Sequence, residues 1–325
     1  MSSSDTRPVA AVAVPGGTSA DDEMLGYVAE QVAARQCVLF FGAGIHFPSP
    51  DATKFDYPVD KAPPRGRQLA ERLAERCDYP YDDKSNLPRV AQYFESKKTR
   101  WRLVKEIEKE VETGREPSPV LRMLADLDFP VVITTNYDHL YERALEQTAA
   151  ARGLPAAYDV SVYSPKVDSQ NKTADCAARP DPARPYVLKI HGDIARPESL
   201  VVTDEDYIQF VLRMGDKHPH HPFGKNVLAH LMRWPTLFIG YSLIDYNLRL
   251  LFKTLRWRLD AAQIPPTFAV DLKPDLLIRD VWESQRRYVS FIVEDLWAFV
   301  PKLYEAVKRE PPAKFQARPA SEQTP

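Results

Sequence analysis

Five short stretches hold the residues of this chain whose types suit chemistry: Gly42-Ala43-Gly44, Thr135-Asn136-Tyr137-Asp138, His191-Gly192-Asp193, Gly240-Tyr241-Ser242 and Asp271. A histidine with an ordinary pKa of about 6.5 can accept and return a proton at cellular pH. A carboxamide such as that of Asn136 can donate and accept hydrogen bonds at once. Two glycines flanking Ala43 let the backbone turn sharply and aim its amides at an anion such as a phosphate. That turn is not the Gly-x-Gly-x-x-Gly of dehydrogenases, because Ile45-His46-Phe47 follows, and no Gly-Lys-Ser/Thr of a Walker loop appears. Asp138 and Asp193 are the carboxylates a glycosidase pair would need, but Asp138 is better placed to cap a helix beginning at His139. His218, His220 and His221 have no cysteine or carboxylate at ligand spacing and read as a polar loop.

Each of these stretches closes or follows an expected buried strand. Val38 to Phe41, Val131 to Thr135, Tyr186 to Ile190, Thr236 to Ile239, Thr267 to Val270 and Tyr288 to Val293 are short, apolar and rich in β-branched or aromatic residues. Between them apolar residues recur at helical spacing. They do so at Leu25, Val28 and Val32 after a Ser19–Asp22 cap, at Leu69 and Leu73, through Leu87 to Val111, and at Val120 to Leu127. Further helices are expected at Thr203 to Met214, Asn226 to Met232, Asp245 to Leu255 and Leu296 to Val307. Strands alternating with helices imply an α/β fold with a doubly wound, Rossmann-like parallel sheet, in which ligands bind beyond the carboxyl ends of the strands. Residues 1–18 and 311–325 read as frayed tails around a domain spanning 19–310. That domain has a helical insertion near 60–127 and an irregular excursion at 150–185.

The bland roles are concrete. Asn136 and Ser242 suit helix caps, Asp245 and Arg249 an i, i+4 ion pair, Asp271 the start of a loop, and His191 a core histidine. Arg249, Lys253, Arg256 and Arg258 lie among leucines and read as the solvated face of a sheet-covering helix. The 43 Lys and Arg against 45 Asp and Glu give a net charge of −2, so no overall basic field draws the chain onto nucleic acid or an anionic membrane. No apolar run approaches the roughly 20 residues of a membrane helix, and the N-terminus lacks a signal-peptide pattern. Three cysteines, Cys37, Cys77 and Cys176, form no close pair, which argues against disulfides and for a reducing, cytoplasmic setting.

In order, Gly42-Ala43-Gly44-Ile45, Thr134-Thr135-Asn136-Tyr137-Asp138, Lys189-Ile190-His191-Gly192-Asp193 and Gly240-Tyr241-Ser242-Leu243 resemble the motifs of the sirtuin family. The resemblance runs by element order from about residue 35 to 300. It implies NAD on a Rossmann-like sheet. Gly42, Ala43 and Gly44 would hold the pyrophosphate, Thr135 would lie in the cofactor-binding motif, and Asn136 and Asp138 would face the nicotinamide ribose. His191 would be the catalytic histidine, Ser242 with Asp271 would contact the adenosine side, and Gly240 would lie among the cofactor-binding residues. Deacylating sirtuins hold zinc with repeated Cys-x-x-Cys pairs. Here only Cys176 lies in the corresponding excursion, so no zinc ribbon and no metal are expected. The Thr-Thr-Asn-x-Asp form is similar to that of bacterial sirtuin-like effectors of antiphage defence, which hydrolyse NAD. His46 stands where the family usually has serine.

The chemistry of hydrolysing the nicotinamide–ribose bond of NAD agrees with the residue types. Its cleavage passes through an oxocarbenium-like transition state, served by a polar group that places water and a base on a ribose hydroxyl. Asn136 and His191 are those types, so an NAD hydrolase yielding nicotinamide and ADP-ribose is expected. The alternatives are an NAD-dependent protein deacylase, disfavoured by the missing zinc ligands, and a non-catalytic subunit sensing NAD or ADP-ribose. The resemblance further implies activation by homo-oligomer assembly or by a partner, a hexameric HerA-type DNA translocase first and a short Argonaute protein next.

Overall fold

Runs of β-branched and aromatic residues become strands here because the sheet is covered on both faces, so alternation is not needed to bury them. The computed structural model describes residues 20–164, 175–181, 183–216, 221–241, 243, 265–283 and 289–316. Ser19, Ser242, His218, His220, Asp245 with Arg249, the helix expected to follow Asp245, and Lys253, Arg256 and Arg258 on it lie outside the described residues. The strands are Val38–Phe41 (β1), Val131–Thr134 (β2), Asp159–Val162 (β3), Tyr186–Lys189 (β4), Thr236–Ile239 (β5), Thr267–Val270 (β6) and Ser290–Ile292 (β7). They form one sheet in the order β3-β4-β2-β1-β5-β6-β7, every neighbouring pair parallel. The α/β doubly wound fold expected from the sequence is therefore present.

β3 is the addition. It falls inside the excursion at 150–185, which the sequence marks only as irregular. It is a short edge strand in which only Ser161 is buried and Val160 is exposed, so its residues give a weaker signal than the buried runs.

Successive side chains of β1 enter opposite cores. Leu39 and Phe41 join the helices Ala20–Ala33 (α1), Pro119–Asp126 (α5), Leu140–Ala151 (α6) and Leu296–Lys308 (α10), whereas Val38 and Phe40 join Asp204–Arg213 (α7), Lys225–Leu231 (α8) and Leu276–Glu283 (α9). Each such fully buried side chain contributes about 2 kcal/mol of hydrophobic free energy.

Gly66–Arg76 (α2), Leu87–Lys97 (α3) and Arg100–Val111 (α4) build a third core around Leu73, Phe94 and Ile107. The pattern expected to run through Leu87 to Val111 breaks at Thr99, whose hydroxyl accepts from the Arg102 amide and starts a new helix. At the other end of the chain, Phe315 is buried against the Tyr304 ring, within the stretch expected to fray.

Candidate functional site

The parallel register aligns the strand ends. Phe41 pairs with Thr134 and Ile239, Thr134 with Lys189, and Ile239 with Val270, so the residues that follow these strands emerge side by side. Chain direction across the sheet reverses between β1 and β5, the switch point where open α/β sheets bind ligands. A cavity of about 940 Å³ opens there, and Ala43, Gly44, Thr135, Asn136, Asp138, His191, Gly240 and Asp271 all line it.

The glycines interlock two turns. Gly44 donates its amide to the Gly240 carbonyl at 2.8 Å. A Cβ on Gly44 would lie 2.6 Å from that oxygen, and one on Gly240, at φ +61°, would lie 2.1 Å from the Ile45 nitrogen. Gly42 stands behind, where a Cβ would meet Tyr241 at 2.5 Å, and it is not part of the cavity lining. The sequence suggested that this turn exposes its amides. Instead, those of Gly44, Ile45 and Phe47 are bonded to the carbonyls of Gly240, Gly42 and Gly44. Ala43 and Gly44 remain as the surface a ligand meets.

Asn136 is buried, its backbone amide held by the Thr134 hydroxyl at 3.0 Å. Its Nδ2 lies 3.0 Å from Nε2 of His46, which the same cavity exposes to a ligand and which is otherwise buried. Asp138 accepts the Leu140 amide at 3.0 Å through Oδ1, but the helix starts one residue later than expected and its N-cap is His139. Asp138 Oδ2 lies 3.5 Å from His46 Nε2. Burial would raise the Asp138 carboxyl, but His46, Lys189 and the Leu140 amide outweigh it and hold the group below the usual carboxylate range.

His191 is buried on the site side of α7, its ring edge-on to Tyr207 and Phe210 at 5.3 and 5.2 Å. Thr203 and Asp206 form the capping box that starts this helix. Gly192 follows at φ +91°, where a Cβ would lie 2.2 Å from the Ser199 carbonyl. The histidine is thus both packed like a core residue and open to the cavity.

Asp193 has a different role from the paired-carboxylate one weighed above. Lys189, only 1% exposed, places Nζ 2.6 Å from Asp193, 3.2 Å from Glu142 and 2.7 Å from the Asp138 carbonyl. His139 donates to Asp193 at 2.9 Å and has Glu112 at 3.5 Å. Those two carboxylates lift the His139 pKa to about 10, despite burial and Lys189. Burial raises Asp193, but His139 and Lys189 overcome it and drive the carboxyl far below its ordinary value. With both oxygens bonded and the residue outside the cavity lining, Asp193 is a member of an ion network that braces the two motif loops.

Asp271 lines the cavity while accepting the Lys273 amide at 2.9 Å. Ser242 lies outside the described residues. The sequence left several neighbours unassigned: His46, Phe47, Tyr207, Lys273 and the Pro63–Arg67 entry to the helical insertion also line the cavity. Only His46 carried a signal, its departure from the family pattern. Arg65 stacks over the Phe47 ring at 5.0 Å, and the Trp297 indole donates to the Phe47 carbonyl at 3.0 Å, so the insertion and α10 both brace the glycine turn. His221 accepts the Phe223 amide at 3.1 Å within its loop. Among the described residues no group of three His, Cys, Asp or Glu is arranged to hold a metal ion, and no helix is long and apolar enough to cross a membrane.

A SIR2-like domain family matches residues 130–290. The NAD(+) hydrolase ThsA of Acinetobacter baumannii (strain 532279) is 24% identical over 235 residues, covering 72% of this chain and 42% of that protein. ThsA of Bacillus cereus (strain MSX-D12) is 27% identical over 237 residues, 71% and 45% respectively. Defense-associated sirtuin 2 of Bacillus subtilis is 24% identical over 243 residues, covering 72% of this chain and 20% of the relative. The chain therefore spans less than half the length of these curated relatives. With four motifs in family order converging at the switch point of one parallel sheet, the chain is similar to SIR2-like domains over residues 130–290 and to these sirtuin-like relatives over about 70% of its length.

Proposed function

We propose that this chain hydrolyses NAD at the nicotinamide–ribose bond, giving nicotinamide and ADP-ribose. The observation that carries the reading is that Asn136 and His191, on the loops after β2 and β4, line one cavity with the glycine turn after β1. In the reaction the bond pair leaves with the nicotinamide ring nitrogen, neutralising its charge, and water adds to the ribose carbon with loss of a proton. Asn136 places that water, and His191 serves as the base on a ribose hydroxyl, stabilising the oxocarbenium-like transition state. Ala43 and Gly44 border the pyrophosphate, Thr135 and Asp138 the ribose, and Gly240 and Asp271 the adenosine side. The names of the ThsA relatives support the activity, and that of the Bacillus subtilis relative supports a role in defence. Such an effector must stay silent until triggered, so we assign its activation to assembly, as a homo-oligomer or with a HerA-type translocase or short Argonaute partner.

The test is nicotinamide release from NAD by the wild-type assembly and by Asn136→Ala and His191→Ala. Each variant is expected to lose at least 100-fold in turnover, of the order that general acid–base groups supply. Equal activity in all three would remove the assignment. Turnover that depends on an added acyl-lysine peptide would mark a deacylase, and NAD binding without nicotinamide release a sensing subunit.

A further inference from the structure

The pyrophosphate of a dinucleotide brings two negative charges, and the cavity wall has little free positive charge to meet them. Four carboxylates line it, those of Asp138, Asp271, Glu294 and Asp295, against the Lys and Arg side chains of Arg65, Arg67 and Lys273. The amides of Gly44, Ile45 and Phe47 are already given to backbone carbonyls. Neutralisation therefore falls to a side chain, and a cation held by a carboxylate supplies little of it. Arg67 is held in this way, 3.0 Å from Glu71. The side chains of Arg65 and Lys273 have no hydrogen bond or ion pair among the described residues.

Position separates these two. Lys273 follows β6, two strands from β1 and so roughly 10 Å across the sheet. Arg65 lies against the glycine turn: its guanidinium carbon is 5.0 Å from the centre of the Phe47 ring, and Phe47 closes that turn by donating its amide to the Gly44 carbonyl at 3.1 Å. The backbone that presents Arg65 is stiff. Pro63 and Pro64 before it are buried, each with φ fixed by its ring. The Arg65 amide donates to Gln68 Oε1 at 3.0 Å, and its carbonyl accepts the Leu69 amide at 2.8 Å. An aromatic face offers no oxygen, so the guanidinium reaches the cavity with its N–H donors unspent.

We infer that Arg65 is the cation that binds the pyrophosphate: resting on Phe47, it donates hydrogen bonds to the diphosphate bordered by Ala43 and Gly44, and so selects dinucleotides over the nucleosides they contain. The inference rests on the hydrolase reading above and deepens it. A guanidinium suits the task because its planar fork matches two phosphate oxygens and keeps its charge at any pH the fold withstands. Arg65 stands outside the four motifs, at the entry to the helical insertion, so the insertion contributes a substrate contact as well as a wall.

The test is calorimetric binding of ADP, which carries the diphosphate and no nicotinamide to release, by the full chain and by Arg65→Gln and Arg65→Lys. The side chain is exposed, so Tm should be unchanged in both variants. Arg65→Gln is expected to weaken ADP by roughly tenfold or more and to raise KM for NAD in step, with kcat kept within about threefold. Arg65→Lys, which keeps the charge and loses the fork, should fall between. ADP affinity should also fall less steeply with added salt in Arg65→Gln than in wild type, because one ion contact is gone. Unchanged ADP affinity in Arg65→Gln overturns the proposal, as does a salt slope equal to that of wild type or a loss confined to kcat. The ADP arm separates this inference from the parent reading. ADP binding that depends on Arg65 upholds it even if the wild-type assembly releases no nicotinamide, and a wild-type chain that takes no ADP overturns it whether or not NAD is turned over.

Discussion

His139, Lys189 and Asp193 sit within three residues of the proposed catalytic side chains and bear on stability through pH. His139 keeps its proton to about pH 10 in the folded chain against 6.5 for a free imidazole, so between these values the folded state binds more protons than the unfolded one. Its contribution is complete below about pH 6.5 and is lost as pH rises through 10. Asp193 has the opposite sign: its depressed carboxyl contributes above the ordinary carboxylate range, and that contribution disappears in strong acid. His139→Gln should therefore flatten the fall of the urea midpoint between pH 6.5 and 10 and, because His139 helps depress Asp193, also weaken the acid limb. An alkaline slope equal to that of wild type would show that this ring does not carry the proton. The legibility of these residues in the sequence was uneven. His191 and Asn136 stood out because each follows a short buried strand. His46 was marked only as a departure from the family pattern, because its partners are set by contacts across the sheet edge.

Among the elements, the turn after β1 and the turn after β5 function as one unit. Gly240→Ala must accommodate a Cβ 2.1 Å from the Ile45 nitrogen at a left-handed φ of +61°, and should cost about 3 kcal/mol in chemical unfolding. Gly26→Ala lies inside α1 with nothing within 4 Å of the new methyl, and should gain roughly 0.5–1 kcal/mol from helix propensity. If the two substitutions had similar effects, the close approach of the turns would not be what holds the cavity rim. The glycines were visible from the sequence as a turn able to approach a ligand. That their freedom is used for one backbone to meet another was not, because the second backbone comes from a strand far along the chain.

Over the whole molecule, the cavity has two walls of separate origin: the sheet edge, and the helical insertion through Pro63–Arg67, Leu69 and Val111. A dinucleotide filling it should couple them. Hydrogen exchange with added ADP-ribose is expected to slow at the Ala43–His46 turn and at the start of α2 together, with a matching rise in Tm from binding to the folded state. Protection confined to the sheet edge would show that the insertion serves only as a cover. The insertion was legible as helices from its apolar spacing, whereas its place over the site depends on Tyr137, Ile194 and Leu200 joining its core.

Local sequence by itself determined where strands end and which polar residues stand at those ends, because backbone preference and burial act over a few neighbouring residues. Motif order also carried the resemblance to sirtuins. Strand order, the parallel register and the packing of α7 decided which of those residues share a cavity. Those depend on contacts between segments distant in the chain, and no short-range preference encodes them. The buried pairing of His46 with Asn136 is the plainest case: two side chains on different strand-end loops, whose meeting exists only once β1 and β2 lie side by side.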